Sequence, residues 1–102
     1  MEGFRINYTQ VLNQADTIQN LSGNLEQEIQ KLDRILTSVK SNWKGPASTE
    51  FQNHLVLLIT DMKETKSSML NISSTIRGVA TEIQQEDERQ AELARQLAEA
   101  NK

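Results

Sequence analysis

A break at Gly45-Pro46 splits this chain of 102 residues into two long runs. Each run repeats its apolar side chains in steps of three and four, which places them along one stripe of an α-helix. Glycine accepts the left-handed backbone that ends a helix. Proline is disfavoured inside a helix and welcome at the first position of a new one. Ser41 to Pro46 is therefore expected to form a tight turn, with the only tryptophan, Trp43, at the bend. A connection this short makes its two helices antiparallel neighbours.

The first run starts at a recognisable cap. Asn7 and Gln10 have capping-box spacing, and Ile6 and Val11 have the spacing of a hydrophobic staple. From there the apolar series is Val11, Ala15, Ile18, Leu25, Ile29, Leu32, Leu36 and Val39, with Ser22 as its polar member. Phe4 and Tyr8 extend the register backwards, and Leu12, Leu21 and Ile35 widen the stripe. The second run reads Phe51, Leu55, Leu58, Met62, Met69, Ile72, Ile76, Val79 and Ile83, with Thr65 as the polar exception. Thr49 and Gln52 suggest its cap. The expected layout is one domain over 1–102: helix 1 over about 8–40, the turn at 41–46, helix 2 over about 48–84, and a helical or frayed tail at 85–102 rich in Glu, Gln, Ala and Arg.

This all-α hairpin has more apolar stripe than one helix–helix contact covers. Small domains bury a low share of their surface and are often completed by disulfides, metals or association. The sequence has no cysteine and no evident metal cluster, so no cofactor is expected. Two hairpins joined in a four-helix bundle would hide the remaining stripe. The expected core and dimer seam is Val11, Ile18, Leu25, Leu32, Val39, Phe51, Leu55, Leu58, Met62, Met69, Ile72 and Ile76. Trp43 is expected to close the end of that bundle, in the cleft beside the turn.

Other functions find little support. Net charge is -3 with a pI near 5.1, and the basic residues are scattered among acids, so no nucleic acid is expected as a partner. Mean hydropathy is -0.59, and the longest apolar run, Leu55 to Ile59, is far too short to span a bilayer. The N-terminus lacks the apolar core of a cleaved signal peptide, and membrane insertion would compete with the bundle for the same faces. His54 is the only histidine and lies beside the seam. Glu86, Asp87 and Glu88 point different ways on a helix and read as a solvated face. Met62 and Met69 suit adaptable packing. Gly23 and Gly78, inside the helices, are read as sites of close approach or of gentle bending. No catalytic group is expected.

With Trp43-Lys44-Gly45 near the middle, Ala47 and Phe51 following at the spacing common after that motif, heptad helices on both sides, and no cysteine, the chain resembles the WXG family. These are the early-secreted-antigen-like proteins exported by type VII secretion systems. The resemblance covers nearly the whole chain and singles out Trp43 and Gly45 as the turn motif. It implies a hairpin that pairs with itself or with a related small chain, recognition by a membrane-bound ATPase, export in folded form and no catalysis. A Tyr-x-x-x-Asp/Glu export signal, common in the family, is absent, because Leu12 follows Tyr8 at that spacing. Ile83 and Asp87 fit the start of the alternative hydrophobic-x-x-x-Asp/Glu pattern, from which Gln90 departs.

The expected function is thus a small substrate and co-secretion factor of a type VII system, cytoplasmic before export and secreted without a cleaved signal peptide. The alternative is a non-secreted adaptor or targeting chaperone that pairs with a larger effector or a related small chain.

Overall fold

Asn7 caps the first helix as its sequence suggests, its side-chain oxygen accepting the Gln10 backbone N–H at 3.0 Å. The computed structural model describes residues 7–101. Phe4 and Ile6, invoked above for register and staple, lie outside them. Two helices make up the fold, α1 over Tyr8–Asn42 and α2 over Pro46–Ala100. They form an antiparallel hairpin measuring 86 × 19 × 16 Å.

Helix α1 ends where Trp43 turns extended, its N–H still bonded to the Val39 carbonyl at 2.9 Å. Gly45 follows at φ 118 and ψ 172, a region essentially closed to residues with a Cβ. Pro46 then opens α2. The second helix therefore starts earlier than the Thr49–Gln52 spacing implied. Thr49 lies within its first turn, and its hydroxyl and N–H both bond the Gly45 carbonyl. Gln52 instead bonds the Ser48 hydroxyl at 3.0 Å. Ser48 is buried and donates to the Trp43 carbonyl at 2.7 Å, which ties the start of α2 to the end of α1.

The hairpin core is narrow. Ile29, only 1% exposed, packs with Leu55 and Ile59, and Leu25, Leu32, Leu36 and Met62 close around them. Towards the chain ends the helices meet through small residues. Ala15, Ser22, Ser73 and Ala80 are buried, and the Ser73 hydroxyl donates to the Ala15 carbonyl at 2.8 Å. That bond satisfies a buried hydroxyl which would otherwise cost about 1–3 kcal/mol.

Of the two forms expected for the tail, helical or frayed, it takes the helical one. Helix α2 continues unbroken to Ala100, so the tail is a helical arm. The arm passes α1 at Tyr8, whose hydroxyl donates to the Asp87 carboxylate, and runs on for roughly 20 Å at ~1.5 Å per residue. Glu86–Arg89 and Glu92–Arg95 pairs brace it along its own length. Every residue from Gln84 to Asn101 is exposed.

Candidate functional site

In heptad terms, the α2 residues Ser48, Leu55, Met62, Met69, Ile76 and Ile83 occupy a positions, and Phe51, Leu58, Thr65, Ile72 and Val79 occupy d positions. The contact with α1 does not use that a/d stripe evenly. It is centred between a and the e positions Gln52, Ile59, Lys66, Ser73 and Ala80, all buried or half-buried. The bulky d row is turned out of the contact, with Phe51, Leu58, Ile72 and Val79 all exposed, Ile72 by 51%. Small residues at Ser73 and Ala80 admit the α1 backbone closely where Ile72 and Val79 would hold it off. In α1 the series Val11, Ile18, Leu25, Leu32 and Val39 is half-buried, and Leu21 and Ile35 beside it are exposed.

Because the helices run in opposite directions, rows rotated in the same sense from the contact line emerge on the same side of the hairpin. The α2 d row and the Leu21–Ile35 row of α1 therefore share one side. Two shallow grooves lie along it. One is lined by Leu21, Leu25 and Met69, the other by Val11, Ile76, Val79 and Ile83.

The opposite side carries the ion pairs between the helices, beside the exposed Val56 and Leu70 in the same α2 row as Arg77. There Lys66 meets Glu26 at 3.0 Å, and Arg77 pairs with Asp16. The hydrogen bond from Lys66, joined by one from Gln30, holds the Glu26 carboxyl below its ordinary value. One side of the rod is thus zipped by charge, and the other is an uncovered apolar strip. Patches of this kind mark interaction sites.

The turn motif stands at one end of the strip. The Trp43 ring is tilted against Phe51, with centroids 5.8 Å apart, and is 44% exposed. Within the single hairpin, two helices give the ring only one wall. At the other end Ile83 is half-buried beside Val11, and Asp87, one turn on, is held by Tyr8. That bond, aided by partial desolvation and the negative charge of Asp87, raises the Tyr8 hydroxyl to about 12. The possible signal residues Ile83 and Asp87 therefore sit where α2 leaves α1. Beyond them Leu93 and Leu97 continue the stripe on the arm with nothing from α1 opposite, and Leu97 is 65% exposed.

The remaining candidates are surface features. His54 lies 3.9 Å from Glu50, both well exposed. No group of acids and histidines able to hold a metal occurs among the described residues, and none of their helices is long and apolar enough to cross a membrane. Gly23 and Gly78 have open space where a Cβ would stand, so neither admits a close approach. Val56, on the ion-paired side, and Leu57, on the outer surface of α2, are exposed away from the strip, and heptad reasoning assigned them no role. Their membership of the five-residue apolar run was the available signal.

A tryptophan-glycine turn, two long helices, an apolar strip on one side and an overhanging arm define a small helical-hairpin protein. The chain belongs to the WXG100 family, described as proteins of 100 residues with WXG, whose profile matches residues 3–88. It is similar to EsxB, an ESAT-6-like protein of Corynebacterium diphtheriae, with 25% identity over 83 residues, covering 81% of this chain and 79% of that protein. No solved structure matches it.

Proposed function

We propose that this protein is a small secreted substrate and co-secretion factor of a type VII system, exported as a folded pair of hairpins. The observation that carries this reading is the apolar strip along one side of a Trp-x-Gly hairpin. A chain that left it in water would forgo about 25 cal/mol for each Å² that pairing buries. The partner is a second small hairpin, either another copy or a related chain. The arm serves as the part read by a membrane-bound ATPase, with Ile83 and Asp87 at its root.

Two properties support a signal in the arm. It is helical without help from α1, and all of it beyond the Tyr8–Asp87 bond projects clear of the hairpin. A reader can grip it while the bundle stays intact. A chain ended after Gln90 should retain its thermal melt and disappear from the culture supernatant while accumulating in the cell pellet. Undiminished export of the shortened chain would take the signal out of the projecting part and leave only the root at Ile83 and Asp87, where a chain ended after Ile83 tests it. Retention of the full-length protein in the pellet of a strain with a working secretion system would favour the adaptor reading.

A further inference from the structure

The two halves of the hairpin are held together differently. The apolar cluster of Ile29, Leu55 and Ile59, with Leu25, Leu32, Leu36 and Met62 around it, lies wholly on the turn side of Gly23. On the other side of Gly23 the buried residues are small: Ala15 and Ser22 on α1, Ser73 and Ala80 on α2. Val11, Leu12 and Ile18 are only half-buried there. Three polar contacts span the helices in this half. The Ser73 hydroxyl donates to the Ala15 carbonyl at 2.8 Å, Arg77 pairs with Asp16, and the Tyr8 hydroxyl donates to Asp87. Small side chains bury little apolar area. An ion pair contributes little when one partner is as exposed as Asp16, at 60%.

Gly23 marks the boundary. Nothing lies within 4 Å of a Cβ built on it, so close packing does not call for glycine there, and glycine weakens a helix at the point where it stands. From Tyr8 to Ser22 is about 15 residues, and a helix that short is marginal in water by itself. Helix α2 differs, because its arm is helical with nothing from α1 opposite. Regions with few buried apolar contacts open locally while the rest of a fold stays closed.

From these features we infer that residues 8–22 form a strap, which unravels as one unit up to Gly23 while α2 stays helical beneath it. Closed, the strap covers Ala80, half-covers Ile76 and Ile83, and keeps the Asp87 carboxylate engaged by Tyr8. Open, it bares those residues and frees Asp87, and Leu93 and Leu97 on the arm continue the surface so exposed. The inference rests on the reading of the arm as the part that is gripped, and it gives that site a regulator. The strap sets how far back along α2 a reader can hold.

Hydrogen exchange on the full-length protein tests the strap. Amides from Leu12 to Ser22 should exchange about tenfold or more faster than those from Leu25 to Val39, at one common rate with a step at Gly23. The double variant Tyr8→Phe/Asp16→Asn should speed the first block several-fold and leave the second unchanged, and Gly23→Ala should slow the first roughly fivefold. Because the chain has no cysteine of its own, Ala80→Cys reports the bared α2 face, and a thiol reagent should label it at the rate at which the strap opens. Equal protection on both sides of Gly23 overturns the strap. So does protection that rises steadily from Leu12 with no step, which is ordinary fraying of a helix end. Export separates the strap from its role. The double variant should reach the culture supernatant faster than the unmodified protein, and unchanged export beside faster exchange overturns the regulator. Undiminished export of a chain ended after Ile83 would sink the arm reading and the strap's part in export with it, while the step in exchange at Gly23 would still establish the opening.

Discussion

The Tyr8 hydroxyl reports on a single contact. It is the only tyrosine in the chain, and its proton is held by the Asp87 carboxylate, which lifts its titration from 10.0 to about 12. A group whose folded pKa is raised stabilises the fold fully below its unfolded value, and that contribution is lost as pH climbs through the folded one. The clasp between the start of α1 and the root of the arm should therefore hold at pH 9 and weaken between about 10 and 12. Tyrosinate absorbance should show its midpoint near 12, and Asp87→Asn should bring it back towards 10.0. A midpoint unmoved by Asp87→Asn would mean that the arm root is not tied to Tyr8 in solution. The sequence could not reveal this contact, because Tyr8 and Asp87 are 79 positions apart and meet only once the phase of both helices is fixed.

The helices themselves offer a comparison between glycines. Gly23 and Gly78 lie inside α1 and α2 with nothing within 4 Å of a would-be Cβ, while Gly45 stands at φ 118 with equally open space. Steric room is the same in all three, so only the backbone separates them. Gly23→Ala and Gly78→Ala should each raise stability by about 1 kcal/mol, the helix-propensity difference. Gly45→Ala should lower it by about 1–3 kcal/mol. Thermal or urea melts of the three variants decide the matter, and a destabilising Gly78→Ala would show that its outer surface is occupied.

Propensity and periodicity made the element scale legible. The Asn7 cap, the Gly45-Pro46 break, the two helices and their antiparallel course all follow from local chemistry. The end of α2 was legible only as a choice between helical and frayed, because the apolar pattern weakens at Glu86 and Gln90 while helix propensity does not. The rotation of α2 was also hidden. A heptad read by hydrophobicity alone selects the d row, whereas close packing selected the smaller Ser73 and Ala80 and let the stem of Lys66 lie beside Glu26. Bulk decides which of two apolar rows faces the nearer neighbour, and that depends on the partner surface as well as on the row itself.

At the scale of the molecule, the rod has two apolar surfaces, one inside the hairpin and one in water, and the proposed pairing gives them different tasks. Ile29 is 1% exposed and belongs to the contact within the chain; Ile72 is 51% exposed and belongs to the strip. Removing either side chain to its Cβ should therefore have different consequences. Ile29→Ala leaves a void between α1 and α2 and should cost about 2–5 kcal/mol, whether or not a second hairpin is present. Ile72→Ala removes little from the single hairpin. Its effect should appear where association contributes to the melt, because a melting temperature that includes binding rises with protein concentration. Melts of the unmodified protein over a hundredfold dilution should shift accordingly. Ile29→Ala should lower the whole series in parallel, and Ile72→Ala should lower the concentrated end most and flatten the dependence. Equal losses from the two variants at every dilution would mean that the strip contributes to the fold of one chain alone, and the division of the rod into an inner seam and an outer docking face would fail with it.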